Sequence, residues 1–324
     1  MRCIIVGVGV QGRKRRAVAG ADVVATVDPV APDANYRALQ DVPLDLYEAA
    51  LVCTPDRAKH AALEYLLPNG KHVLVEKPLL ADDAAAIREL ADLAHRSNVA
   101  CYTAYNHRFE PQIRRLKEVL DAGILGEIYL ARFFYGNGTA RDVKRSLWRD
   151  QGAGVLTDLG SHLLDLTLFL LGTPSGPFVS WGAFRFENRA YDHCAFGVNP
   201  LTLPSPPSPG GEDRARGPAF EYQVSLLSWR NTFSIDVVGE SGSAHVHGLC
   251  KWGPSTLTVR QRVLPSGRPE EDVKTITGPD PTWELEYAHF KQLCRTGGSN
   301  LPNDLWINAV LRDLATRSSE ARVA

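Results

Sequence analysis

Through its first hundred residues the chain alternates short apolar runs with stretches of helical spacing. The runs at Cys3–Val6, Val23–Val27, 50–54, 71–76 and 99–105 are too short and too continuously apolar to be helix faces. They read as strands buried on both sides. Between them, 57–67 and 82–97 carry Ala and Leu at three- and four-residue spacing, which predicts helices. Strand and helix alternating in this way predict a parallel, doubly wound α/β sheet whose ligands collect at the carboxyl ends of its strands. On that reading Thr54-Pro55, Glu76-Lys77-Pro78 and Asn106-His107-Arg108 share one crevice.

Past about residue 107 the rhythm changes. A helix over 110–122 leads through Gly123 and Gly126 to a strand over 128–134, then to a long helix, then to strands of strict alternation. Phe220, Tyr222, Val224 and Leu226 alternate with polar residues, as do Phe233, Ile235 and Val237, which predicts half-buried antiparallel strands. The second domain, over 107–324, is therefore expected to be α+β. Its open, mostly antiparallel sheet carries helices on one face and leaves the other to water or a partner subunit. Residues 200–218 hold six of the 21 prolines and cannot form a central strand. They read as a disordered insertion between two paired strands.

The first turn carries the most specific chemistry. Cys3–Val6 passes into Gly7-x-Gly9-Val10-Gln11-Gly12, and the second apolar run ends on Asp28, 21 residues after Gly7. Gly7 permits the tight turn, Gly9 lets backbone approach a pyrophosphate, and Gly12 lets the next helix pack close. Asp28 stands where a ribose 2′-hydroxyl acceptor is expected. The first domain, 1–106, is thus predicted to be a dinucleotide-binding Rossmann domain. Because a carboxylate repels a 2′-phosphate, NAD is expected in preference to NADP. Arg13, Lys14, Arg15 and Arg16 read as a solvated basic face, since a 2′-phosphate reader is expected just past the second strand, where the chain has Pro29, Val30 and Ala31.

Bulk properties narrow the field. With 324 residues, 44% hydrophobic, the chain has material for two cores, and a net charge of -1 supplies no basic field for nucleic acid or acidic membranes. The six cysteines include no C-x-x-C pair and read as buried free thiols of a reducing, cytoplasmic compartment. The longest apolar stretch, 163–171, is too short to span a bilayer and contains Asp165. His245, His247 and Cys250 lie close in sequence but lack a fourth ligand, so no metal site is expected.

The helix past Gly152 is apolar almost all round, yet Asp158, His162 and Asp165 fall at i, i+4 and i+7 on one stripe. Buried carboxylates and imidazole need a ligand or partners, so this stripe is a candidate site. Lys77 ends an apolar strand at the expected ligand edge. Its ammonium can stabilise a developing alkoxide while His162 takes the proton and Asp158 orients it.

These residues resemble the Gfo/Idh/MocA oxidoreductases over essentially the whole chain. The matching positions are Gly7, Gly9 and Gly12; Thr54-Pro55 with His60; Glu76-Lys77-Pro78; Asn106-His107-Arg108-Phe109; Trp148-Arg149; and Asp158 with Gly160, His162 and Asp165. The resemblance implies that Lys77, Asp158 and His162 form the catalytic trio. It implies cofactor contacts from Thr54, Pro55, His60, Glu76, Asn106, Arg108, Trp148 and Arg149, and a cis bond before Pro78. It also implies homodimers or homotetramers built through the open sheet face. Many relatives carry two arginines where this chain has His107-Arg108, which makes Arg108 the firmer correspondence. The expected activity is hydride transfer between NAD and a secondary alcohol of a sugar, nucleotide sugar or cyclitol. Its rivals are a cofactor-retaining enzyme with transient redox and a non-catalytic dinucleotide sensor or scaffold.

Overall fold

The computed structural model describes residues 1–147, 149–198 and 217–320. Trp148 and most of the proline-rich stretch 200–218 lie outside the described residues. The chain forms two compact units, one of residues 1–109 with 281–309, the other of 110–280 with 310–324.

In the first unit, β1 (Cys3–Val6), α1 (Val10–Ala19), β2 (Val23–Val27), β3 (Ala49–Val52), α2 (Asp56–Leu66), β4 (His72–Glu76), α3 (Ala84–Arg96) and β5 (Cys101–Ala104) follow in the expected alternation. The five strands are all parallel, in the order β2-β1-β3-β4-β5. Alternate residues of each strand enter opposite cores, Ile4, Val6, Ala50, Val52, Val73 and Val75 on one face and Cys3, Ile5, Ala49, Leu51 and Leu74 on the other. Two covered faces explain why the strands read as unbroken apolar runs. Asp83 starts α3 by accepting the Ala85 amide at 3.0 Å, and Ile87, Leu90 and Ala94 give that helix its buried stripe.

The second unit holds α4 (Pro111–Asp121), β6 (Ile128–Gly136), α5 (Ala140–Lys144), α6 (Val155–Asp158), α7 (Gly160–Leu171) and seven further strands. These are β7 (Val179–Phe184), β8 (His193–Val198), β9 (Ala219–Ser225), β10 (Thr232–Gly239), β11 (Gly242–His247), β12 (Ser255–Gln261) and β13 (Glu271–Ile276). The sheet order is β13-β12-β11-β10-β6-β9-β8-β7. Alternation correctly marked β9 and β10 as half-buried, but β9 is antiparallel only to β8 and runs parallel to β6. Period-two patterning reports which face is buried and carries nothing about a partner strand's direction. Phe133, Tyr135, Tyr222, Val224, Phe233 and Ile235 fill the covered face. On the other face polar side chains join neighbouring strands, an ion pair from Arg132 to Glu221 at 2.6 Å and a hydrogen bond between His245 and Asp236 at 2.6 Å.

The expected linear boundary after residue 106 leaves out α8 (Thr282–Thr296) and the start of α9 (Leu301–Glu320), which contribute to the first unit. Tyr287 and Phe290 of α8 join the core formed by Cys3, Ile5 and Leu51. Without them one face of the parallel sheet would lack part of its cover. Among the described residues no helix is long and apolar enough to cross a membrane.

Phe290 is fully buried, so Phe290→Ala is expected to lower stability by about 3–5 kcal/mol. Urea denaturation followed by far-UV circular dichroism checks this, with a midpoint clearly below that of the wild type.

Candidate active site

The turn after β1 is built by what its glycines lack. Gly7 has φ +94°, and a Cβ there would crowd the Cys53 carbonyl at 2.8 Å. A Cβ on Gly12 would overlap the Gly7 carbonyl, whereas one on Gly9 meets nothing within 4 Å. Gly7 and Gly12 close the turn against the protein, and Gly9 opens onto space that the protein leaves unfilled. α1 begins at Val10, where the backbone N–H groups of a first helical turn have no intrahelical acceptor. Such an end favours an anion.

Asp28 locks this turn. Its Oδ2 accepts the Val8 amide at 2.8 Å, while Oδ1 accepts those of Val30 and Ala31 at 2.9 and 2.8 Å. Although partial burial opposes ionisation, these three amides with the nearby Arg37 guanidinium hold the carboxyl below the usual aspartate range. Arg37 itself donates to the Ala31 carbonyl at 2.6 Å.

The parallel sheet brings the ends of β1, β3 and β4 to the same edge, and with them Gly7, Thr54 and Lys77. Thr54 Oγ1 is buried and finds no partner among the described residues. Glu76 accepts from Arg15 Nε at 2.7 Å, and Arg15 Nη1 lies 2.7 Å from Glu286. The second N–H does not point at its oxygen, so that contact acts as a charge pair. Arg15 also stacks 4.3 Å from the Trp283 ring centroid. The expected solvated basic face is thus broken at Arg15, which is 1% exposed. Charge runs in sequence do not reveal an inward-facing helical position when the partners, Glu76 and Glu286, are 61 and 271 residues away.

Lys77 precedes a cis bond to Pro78, and the segment beyond is pinned from α2. Lys59, 2% exposed, donates to the Pro78 carbonyl at 2.8 Å and to Asp56 at 2.7 Å. Burial pulls the Lys59 ammonium below the ordinary lysine range, against the charge of Asp56. His60 Nε2 donates to the Leu80 carbonyl at 2.9 Å. Asn106 is buried and donates to Thr282 at 2.8 Å. His60 and Asn106, marked for the cofactor, are therefore engaged with the protein, as is Glu76.

In the second unit the expected single helix is two. α6 ends at Asp158 and α7 begins at Gly160, with Leu159 between them. The i, i+4, i+7 stripe consequently splits by exposure. His162 and Asp165 are buried, at 6% and 1%, while the Asp158 side chain is 41% exposed and lies 3.5 Å from Arg149. Tyr135, at the end of β6, packs its ring 5.9 Å from that of His162. Lys251 donates to the Tyr135 hydroxyl at 3.1 Å. Sequence reading passed over both, because Tyr135 falls at a core position of an alternating strand and Lys251 follows a cysteine in an unremarkable turn.

Residues 1–105 match the model of the oxidoreductase family with an NAD-binding Rossmann fold, and residues 113–198 match the Gfo/Idh/MocA C-terminal domain. The chain belongs to the Gfo/Idh/MocA oxidoreductases. Among relatives of known name, D-glucoside 3-dehydrogenase of Escherichia coli is 32% identical over 143 residues, 41% of this chain and 38% of that protein. A trans-1,2-dihydrobenzene-1,2-diol dehydrogenase of Bos taurus is 28% identical over 213 residues, 66% of this chain and 58% of that protein. The chain thus spans about half the length of the curated relatives it matches. Levoglucosan dehydrogenase, solved in complex with NADH and levoglucosan, superposes with a TM-score of 0.80 at 16% identity, covering 99% of this chain and 97% of that one. That likeness shows that the two chains share a fold.

Two outcomes follow from the buried charges. Arg15→Met leaves Glu76 and Glu286 without their cation and is expected to cost about 3–5 kcal/mol, read as a lowered urea midpoint. Asp28→Asn tests linkage. A carboxyl whose folded pKa is depressed adds stability above its unfolded value and loses it as pH falls through the folded one. The wild type is therefore expected to exceed the variant in melting temperature at pH 7, and the gap to close below the ordinary aspartate range.

Proposed function

We propose that the chain is an NAD-preferring dehydrogenase that moves hydride between nicotinamide and a secondary alcohol of a sugar, nucleotide sugar or cyclitol. The observation that carries this reading is the cradle after β1. Gly7 and Gly12 are required by the protein's own packing, Gly9 faces unfilled space, and an ionised Asp28 holds the turn through the Val8 amide. The buried Thr54 hydroxyl on the same sheet edge, without a partner among the described residues, supplies a further donor. These features fit a dinucleotide pyrophosphate and ribose.

Bound there, the nicotinamide supplies the acceptor for a hydride leaving the carbinol carbon. The chain's own residues manage the charge and the proton. Lys77, placed at the end of β4 and backed by the Lys59 bond to Pro78, holds the substrate oxygen and stabilises its developing negative charge. His162 takes the proton from that oxygen. Asp158, paired with Arg149, lies four residues before His162 and is assigned to orienting it. Asp28, kept anionic by its three amides, disfavours the 2′-phosphate of NADP. Family membership and the alcohol dehydrogenases named among the relatives support the reaction class.

Purified protein assayed with NAD and NADP against sugars, nucleotide sugars and inositols is expected to reduce NAD with at least one of them. Lys77→Met and His162→Asn are expected to lower kcat by about 100-fold or more. Gly9→Val fills space outside the protein's packing, so it is expected to keep the melting temperature and to lose the thermal shift that NAD gives the wild type. Turnover undiminished in Lys77→Met, or an NAD shift undiminished in Gly9→Val, would overturn the assignment.

A further inference from the structure

The turn between β9 and β10 holds Trp229 at φ +54°, a backbone conformation unfavourable to a bulky side chain. Burial of the ring does not offset that cost, since Trp229 is 70% exposed. The turn is fixed through its backbone instead. The Ser228 amide donates to the Asn137 carbonyl at 2.9 Å, and Gly138 leaves room for the Trp229 backbone, which a Cβ there would approach to 3.1 Å. Strain of this kind gathers at ligand-binding elements.

Next to Trp229 in the chain, Arg230 and Asn231 line a cavity of about 230 Å³ together with Gly248, Leu249, Trp252 and Pro254. Among the described residues neither the Arg230 guanidinium nor the Asn231 amide group has a side-chain partner, and no carboxylate lines the cavity. Lys251 brings a second positive charge, its ammonium 4.6 Å from the Trp252 ring centroid. The cavity lies at the end of the sheet that carries Tyr135 and His162. Thr232, at the start of β10, pairs with Gly136 at the end of β6. The Trp252 ring lies 5.7 Å from that of Tyr135, itself 5.9 Å from His162.

A guanidinium without a counter-charge takes phosphate oxygens in bidentate pairs, and an indole left open to solvent takes a planar base by stacking. A free sugar or a cyclitol engages neither group strongly, and a sugar phosphate leaves the indole unused. A nucleoside diphosphate joined to a sugar engages both, with its sugar directed toward the imidazole two rings away.

We propose that the β9–β10 turn, with Trp252 beside it, receives the nucleoside diphosphate of a nucleotide-sugar substrate, Arg230 and Asn231 holding the diphosphate and Trp229 stacking on the base. This rests on the dehydrogenase reading of His162 and selects one of its three substrate classes.

The test measures kcat/KM with NAD for UDP-, GDP-, ADP- and dTDP-hexoses, each beside its free sugar and its sugar 1-phosphate, and for inositols. At least one nucleotide sugar is expected to exceed its free sugar and its sugar 1-phosphate by about 10-fold or more. Arg230→Met is expected to lower kcat/KM on that nucleotide sugar by about 10- to 100-fold, and Trp229→Ala by about 10-fold, both through KM far more than through kcat. Arg230→Lys and Trp229→Phe are expected to restore part of the loss, which a merely structural role would not produce. Both side chains are exposed, so the variants are expected to keep the wild-type melting temperature, and each carries the comparison without the other. A free sugar, sugar 1-phosphate or inositol turned over as efficiently as every nucleotide sugar overturns the proposal and leaves the dehydrogenase reading standing. An unchanged KM for the nucleotide sugar in both Arg230→Met and Trp229→Ala does the same. An absence of turnover by the wild type on every compound removes the dehydrogenase reading, and this proposal with it.

Discussion

One buried guanidinium ties the dinucleotide half together. Arg15 projects from the helix that follows the glycine turn, binds Glu76 at the end of β4, and meets Glu286 of α8. Three segments far apart in sequence are thereby fixed to one charge. Taking three ionised groups out of water is unfavourable, and the arrangement persists because each charge has an opposite neighbour at 2.7 Å and Trp283 covers the guanidinium face. The residue next to Glu76 is Lys77. Holding the glutamate therefore limits where the strand can release the lysine, and Lys59 limits it again from the other side through the Pro78 carbonyl.

The same need governs the second unit, with a different solution. α7 is apolar enough to bury most of its surface, and it carries His162 and Asp165 into that environment. Breaking the helix at Leu159 lets Asp158 stay partly in solvent beside Arg149 while His162 goes inside against Tyr135. A continuous helix would have sent both down the same stripe. The interruption separates a partly solvated carboxylate from a buried imidazole within five residues.

Much of the first unit was legible because its two covered faces write themselves into the chain as continuous apolar strands. Cys3–Val6 and His72–Glu76 could hardly be anything else, and Gly7, Gly12 and Asp28 sit at spacings that only one turn demands. What stayed hidden depends on long-range pairing. Nothing near Arg15 announces that it faces inward, because the carboxylates that receive it arrive with β4 and α8. The return of α8 to the first unit was equally obscure, since Tyr287 and Phe290 look like the buried stripe of any helix. The parallel pairing of β9 with β6 was unreadable for a related reason, as alternation identifies a face and is silent about neighbours. Tyr135 was hidden by its own success as a core residue, its ring satisfying the apolar pattern while its hydroxyl accepts from Lys251.

Asp28 serves architecture and, on the proposed reading, selectivity with the same charge. As a structural group it accepts three backbone amides, one of them from Val8 inside the glycine turn, and these bonds keep it ionised. On the proposed reading it also presents that charge to the ligand at the end of β2, where a 2′-phosphate would add negative charge beside it. The two roles reinforce each other, because anything that neutralised the carboxylate to welcome a phosphate would also weaken its hold on the turn. A change of cofactor preference at this position therefore requires a second residue to take over the Val8 amide, and Arg37, whose guanidinium already lies against the Asp28 and Ala31 carbonyls, supplies only donors and cannot do so.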